Sequence, residues 1–403
     1  MTRNTPSRSR LWRGWPLLAL LALAGYGGPA GAESFEKFLA ALRADAAAQG
    51  VTQATFDRAM AGLTPDPAVL AAMQREPEYG KPMSAYLSSL VSPARIATGT
   101  QKCAQWSATL QAIERRFGVD PTILVAIWGV ESSFGEARDP WDVFRSLATL
   151  AYAQFQPPLF RDELLSALRI LQRNRIPRQQ FVGSWAGAMG QAQFLPSSYL
   201  TYAVDFDGDG RPDIWTSVPD VLASIANYLQ KAGWRPGEPW GFEVSVPQSF
   251  DYRTSRGSIA AWAGRGFRRS DGAALPTAAD DAILFFPSGA AGPAFLVTQN
   301  FVVIKQYNNS DAYALAVGLF SDRLRGLTPL RTPWPANDFQ PSRGQRMALQ
   351  RRLAALGFKV DDLNGHIDFA LRDAVRQMQR RFGMVADGYP GRVFLQRVGV
   401  SGP

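Results

Sequence analysis

Apolar residues recur at helical spacing along most of this chain, with Gly and Pro as punctuation. Phe35, Phe38, Leu39 and Leu42 fall on one stripe, and Phe56 and Met60 on another beyond Gly50, so residues 34–61 predict two amphipathic helices. Residues 65–99 continue as short helices broken by prolines, including the run Arg75-Glu76-Pro77-Glu78-Tyr79. Leu110 and Ile113 mark a helix over 106–117 that ends near Arg115 and Arg116, and two more follow over 144–152 and 160–174, separated by Pro157-Pro158. Leu222, Ile225, Ala226 and Leu229 share one face of a helix over 218–231. From residue 240 to 304 the texture changes. Short apolar or alternating runs at 242–246, 282–286 and 301–304, separated by Gly and Pro, predict a small β element.

A helix over 314–323 follows, then a linker over 328–342 stiffened by Pro329, Pro333, Pro335 and Pro341. Helices over 345–356, 369–382 and 393–398 form a small last module, with Leu349, Leu353 and Leu356 on the inward side of the first. The fold class is mainly α: an α-rich body over 33–327 with a small β element, the linker, and a three-helix module over 343–403.

One helix breaks the amphipathic rule. Over 118–135, Asp120 suits the N-cap, Pro121 the first helical position and Gly135 a left-handed end. Between them Ile123, Leu124, Val125, Ala126, Ile127, Trp128 and Val130 leave no polar face, so protein should surround this helix. Glu131 is its one acid. Apolar surroundings disfavour the charged carboxylate and keep it protonated nearer neutrality, as a general acid requires. The alternative is a carboxylate at the last turn that meets water or an arginine.

Residues 183–199 are rich in small side chains, with Gln191, Gln193, Phe194 and Tyr199 as polar or aromatic accents. Small residues let a ligand approach the backbone, and amides and aromatic faces suit carbohydrate. Tight packing alone is the other reading. Directly afterwards Asp205, Asp207, Asp209 and Asp213 take positions 1, 3, 5 and 9 of a calcium-type loop, with Gly210 at position 6. Position 12 is Thr216, and Asp220 lies farther on, where it would close an enlarged loop. An Asp/Gly-rich turn held by its own side-chain bonds is the alternative.

Composition narrows the chemistry further. The 403 residues include 1 histidine, His366, and 1 cysteine, Cys103, so the body has no His for a serine or cysteine triad and no zinc cluster, and no intramolecular disulfide can form. Cys103 reads as a small core residue. Carboxylate chemistry remains. Residues 1–32 read as a signal peptide: Arg3, Arg8, Arg10 and Arg13 without an acid, a short apolar run over 15–24, then Ala30-Gly31-Ala32. The mature chain then starts at Glu33 and is exported to the periplasm, and with no cysteine at that site it is not a lipoprotein. Losing four arginines takes the net charge from +9 to +5, which suits an anionic polymer or surface. No run of arginines and aromatics marks a nucleic-acid module.

In order along the chain, Glu131 within Gly-Val-Glu-Ser-Ser-Phe-Gly, the 183–199 segment, the loop from Asp205 to Asp213 and Tyr307-Asn308-x-Ser310 resemble the membrane-bound lytic transglycosylase B family. The likeness runs over roughly residues 35–324. The last module resembles the type 1 peptidoglycan-binding domain through Leu349-Gln350-x-x-Leu353-x-x-Leu356-Gly357-Phe358, Ala374-x-x-x-Met378-Gln379 and Asp387-Gly388. It departs in having Asn364-Gly365 for Asp-Gly, and Asp368 and Leu371 for a glycine and a threonine.

The resemblance implies a lysozyme-like α-rich domain that cleaves the β-1,4 bond between N-acetylmuramic acid and N-acetylglucosamine in peptidoglycan glycan strands. It makes Glu131 the only catalytic acid and gives saccharide-site roles to Ser184, Gln193, Phe194, Tyr228, Tyr307, Asn308 and Tyr313. It implies a structural calcium held by Asp205, Asp207, Asp209, the Arg211 carbonyl, Asp213 and Asp220, and no cofactor for the chemistry. It also implies a monomer, with cell-wall synthesis or remodelling proteins as partners. With one acid, the muramic 6-hydroxyl would attack C1 and leave a 1,6-anhydro sugar. A lysozyme-type hydrolase would instead need Glu136, Asp139 or Asp142 on the opposite face of the sugar, and a wall-binding scaffold would need no acid.

Overall fold

The computed structural model describes residues 34–73, 80–137, 141–173, 176–276, 281–360 and 362–400. The leader, the 75–79 run and Asp139 lie outside the described residues.

Helix starts follow the capping signals. Ser34, Thr52 and Ser92 accept a backbone N–H at the heads of Phe35–Ala48, Gln53–Met60 and Pro93–Gln105, and each such cap contributes about 1 kcal/mol. Asp120 does the same for Pro121–Ser132, whose residues from Ile123 to Gly129 are buried all round. Helices Pro93–Gln105, Ser107–Phe117, Val218–Lys231 and Asp311–Leu324 enclose it. The last of these comes close because position 129 is glycine: a Cβ there would stand 2.7 Å from Phe134 and 2.9 Å from Phe320. Its end is broader than Gly135 alone. Ser133, Phe134 and Gly135 all carry positive φ, at 50°, 62° and 81°. Arg95 supports this strained exit by donating to the Gly129 carbonyl at 2.6 Å and the Ser133 hydroxyl at 3.0 Å, a cation at a helix C-terminus.

The β element is a five-stranded antiparallel sheet in the spatial order Arg256–Ser258, Asp281–Phe285, Ala294–Val297, Gly241–Ser245, Arg268–Arg269. The apolar run 301–304 is not a strand of it. It lies in the helix Gln299–Asn308, capped by Thr298, because a short buried apolar run fits either conformation and the cap decides between them. Cys103 is half-buried rather than a core residue, and burial, with the Asp120 charge beside it, pushes its thiol up to about 11.

Residues 328–342 are held against the body rather than spanning open solvent. Glu243 accepts the backbone N–H groups of Arg331 and Thr332 at 2.9 and 2.8 Å, and Asp338 accepts from Ser84 N and Ser288 Oγ, both at 2.7 Å. The module beyond packs Arg343–Ala355, Phe369–Arg381 and Arg392–Arg397 around Leu349, Leu353, Val375, Met378 and Phe394. Leu356 falls outside that core. The helix stops at Ala355, and Leu356 is exposed at the C-cap before the left-handed Gly357. The module sits on the sheet: Phe369 meets Phe285 and Phe301, Arg376 donates to the Leu284 carbonyl at 2.8 Å, and Asp387 accepts from Ala290 N at 2.9 Å.

His366 lies at this junction, 3.1 Å from the Asn309 carbonyl. Burial, with Lys305, Arg343 and Arg346 nearby, pushes its imidazole from 6.5 down to about 4. Above pH 6.5 it is neutral folded or unfolded. Between 6.5 and 4 the unfolded chain takes a proton that the folded chain refuses, so stability falls as pH drops through that window, by about 3 kcal/mol. Urea midpoints at pH 7 and pH 4.5 should therefore differ less for His366→Gln than for the parent chain; equal differences would disprove the assignment.

Candidate active site

Glu131 sits in the last turn of its helix, half-buried. Its Oε1 accepts a hydrogen bond from Tyr313 Oη at 2.5 Å. Tyr313 is the third residue of Asp311–Leu324, where Ser310 caps its backbone N–H. Its ring stacks on Tyr307 at 6.3 Å and 8°, and Tyr307 meets Tyr228 at 4.8 Å, which in turn meets Tyr202 at 4.7 Å. Burial first, then the Glu131 carboxylate beside them, hold both the Tyr307 and Tyr313 hydroxyls well above their ordinary 10. Both phenols remain donors at any working pH.

The small-residue segment forms a tight turn facing this row. Met189 and Phe194 exchange backbone hydrogen bonds at 2.8 and 3.1 Å, with Gly190 and Gln193 at φ of 62° and 50°. Gly183 is obligatory, since a Cβ there would come within 1.9 Å of the Ala188 carbonyl oxygen. Tyr307 Oη donates to the Ala192 carbonyl at 2.7 Å, fixing the turn to the tyrosine row. Gln191 ties it to the acid's helix, accepting from Trp128 Nε1 and donating to the Trp215 carbonyl, both at 2.8 Å.

The predicted saccharide residues divide by exposure. Phe194, Tyr307 and Tyr313 are buried at 2, 5 and 1% exposure, so they build the wall and hold the acid. Ser184, Gln193, Tyr228 and Asn308 keep partly open side chains. Ser184 Oγ accepts from Ala188 N at 3.1 Å, Gln193 Nε2 donates to the Gly190 carbonyl at 3.0 Å, and Tyr228 Oη donates to the Gln306 carbonyl at 2.8 Å.

Of the candidate second acids, only Asp142 has a fixed partner among the described residues. Asp142 caps Val143–Tyr152 and pairs with both oxygens to Arg178 at 2.9 and 2.8 Å. Glu136 is exposed. Glu163, which no local sequence signal marks, is a buried carboxylate raised by its burial, but its oxygens accept from Ser197 N and Oγ at 2.8 and 2.6 Å at the head of Pro196–Tyr202. It is a capping acid. Arg95 is the other contributor that no sequence signal marks, and Gln191, an amide suited to carbohydrate by sequence, spends both side-chain atoms on Trp128 and Trp215.

In the acidic loop, Asp205, Asp207 and Asp209 offer carboxylate oxygens within 4.8 Å of one another. This hard oxygen set fits calcium. Asp220 organises the loop instead, with Oδ1 accepting from Phe206 N and Asp207 N and Oδ2 from Asp213 N. Asp213 accepts from Trp215 N, Thr216 N and Thr216 Oγ1, which hold its carboxyl below the usual range against its burial. The end of this loop carries the turn, because Ile214 and Trp215 supply the carbonyls that hold Gln191.

A family model described as the transglycosylase SLT domain matches residues 34–322, and one described as a peptidoglycan binding domain matches 342–398. The membrane-bound lytic murein transglycosylase B of Escherichia coli (strain K12) is 32% identical over 238 residues, 58% of this chain and 64% of that protein. The chain thus spans under two thirds of that relative. SltB3 from Pseudomonas aeruginosa, in complex with NAG-anhNAM-pentapeptide, is 46% identical with a TM-score of 0.83, over 91% of this chain and 99% of that one. The Escherichia coli lytic transglycosylase Slt35 in complex with calcium is 27% identical with a TM-score of 0.59, over 72% and 92%. The matched span holds Glu131, the tyrosine row, the tight turn and the acidic loop, and this chain belongs to the transglycosylase SLT domain family.

Proposed function

We propose that this chain cleaves the bond between N-acetylmuramic acid and N-acetylglucosamine with Glu131 as its single acid and base. The carrying observation is the Tyr313–Glu131 contact beside the tyrosine row, with Asp142 paired to Arg178 and Glu163 capping a helix. Protonated Glu131 gives its proton to the glycosidic oxygen, and the N-acetylglucosamine side leaves as the alcohol. The muramic N-acetyl group steadies the cation developing at C1. The 6-hydroxyl then bonds to C1 and returns its proton to ionised Glu131, so a 1,6-anhydro ring forms and no water is consumed. Gln193, Tyr228, Asn308 and Ser184 line the sugar, keeping the 6-hydroxyl rather than water at C1. The NAG-anhNAM-pentapeptide held by SltB3 is a ligand of that product class.

Digesting purified peptidoglycan with the exported chain and weighing the soluble products tests this reading. Muropeptides one water lighter than hydrolysis products support it; products at the hydrated mass establish a hydrolase and overturn it.

The acidic loop takes a structural calcium through Asp205, Asp207, Asp209 and the Arg211 carbonyl, and the bound ion would steady the turn that carries Gln191. Chelation should lower Tm by about 4 °C, with recovery on adding calcium but not magnesium. No shift would remove the metal from the account. The leader-like first 32 residues would export the chain to the periplasm, where a monomer would meet glycan strands and wall-remodelling proteins.

A further inference from the structure

We infer that the C-terminal module is a working part of the catalytic centre, with Arg372 a positioning residue that acts through Asp311 on the Tyr313–Glu131 contact. This rests on the single-acid reading above. The helices Gln299–Asn308 and Asp311–Leu324 meet at a corner, Asn308-Asn309-Ser310, which carries Tyr307 on one side and Tyr313 on the other. Three module residues grip that corner. Lys305 Nζ donates to the Ile367 carbonyl at 2.5 Å, His366 Nδ1 lies 3.1 Å from the Asn309 carbonyl, and Arg372 donates through Nε and Nη2 to Asp311 Oδ2 at 3.2 and 2.8 Å. Lys305 completes the cluster at 2.8 Å from Asp311 Oδ1.

Spacing ties the grip to the chemistry. Lys305 lies two residues before Tyr307 and Asp311 two before Tyr313, so on each helix one face meets the module while another meets the active site. Asn309 holds φ of 23°, sparsely populated for a residue with a side chain, and its carbonyl is the one that His366 approaches. The three charged side chains are each at least nine-tenths buried. Burial alone would raise the Asp311 carboxyl, but Lys305 and Arg372 outweigh it and hold it down at about 2. A module serving only as a wall tether would need no buried contact with this corner.

The test compares Arg372→Gln and Arg372→Lys with the parent, as full exported chains, on a soluble uncrosslinked glycan fragment of peptidoglycan. Arg372→Gln should lower kcat about tenfold with KM within about twofold, and Arg372→Lys should recover most of it. The alkaline limb of the pH–rate profile should also move upward in Arg372→Gln, because Glu131 loses part of the hydrogen bond that favours its ionised form. Among the described residues, the titratable and charged groups facing that site are Tyr313 and Tyr307, with Tyr228 beside Tyr307, Tyr86 beyond Tyr313 and Arg95 at the helix end. Asp311→Asn keeps the shape and should give the same signature, which covers the case in which Arg372→Gln fails to fold. Unchanged kcat and pH limb, with only weaker sedimentation on insoluble peptidoglycan, would reduce the module to a tether. Hydrated products from the parent chain would instead overturn the single-acid reading and leave the grip to be judged on kcat alone.

Discussion

Glu131→Gln lowers kcat for release of soluble muropeptides by at least about 10³-fold while leaving Tm within about 2 °C. The amide keeps the size of the side chain and an oxygen for Tyr313 Oη to donate to, so the helix end and tyrosine row are undisturbed. What disappears is the proton. A positioned acid contributes about 10²–10⁴-fold, and here the same group must also take the 6-hydroxyl proton, so both halves of the reaction lose their catalyst. Two other described acids are committed: Asp142 is paired with Arg178 and Glu163 caps a helix. Single-turnover release followed by mass spectrometry is the measurement. Residual rates within tenfold of the parent would move the acid elsewhere, and Asp139 would be tested next.

The helical body and the placement of its acid are legible because they rest on local signals. Asp120 and Pro121 start the central helix, and an apolar run with one carboxylate makes Glu131 conspicuous. Legibility fails where long-range contacts decide. The 301–304 run reads as strand or helix until Thr298 caps it, and Phe194, Tyr307 and Tyr313 read as sugar contacts until burial places them inside the wall. Arg95 meets its carbonyl 34 residues away and Arg372 meets Asp311 across 61, distances over which no periodicity carries information. Glu163 carries the reverse lesson. It is as buried as an acid can usefully be, yet its partners show a cap, so burial nominates a catalytic carboxylate and geometry selects it.

Tyr313→Phe separates the two roles open to this residue. The ring fits the same buried space and keeps its stack on Tyr307, so the fold should survive with little change in urea midpoint. The lost hydroxyl is a donor throughout the working range, since burial and the Glu131 charge hold its own ionisation well above 10. Without it the carboxylate loses a fixed orientation toward the glycosidic oxygen, and its ionised form, needed to accept the 6-hydroxyl proton, is less favoured. The expected result is a kcat lower by on the order of 10²-fold, an alkaline limb moved upward, and an unchanged KM. The same kinetics run on Tyr228→Phe provide the contrast, because Tyr228 is partly exposed and its hydroxyl donates to the Gln306 carbonyl rather than to Glu131; its loss should raise KM first. A Tyr313 variant that raised KM and kept kcat would mean that the hydroxyl turns from Glu131 to the sugar when substrate binds, and that the acid is oriented by the substrate rather than by the protein.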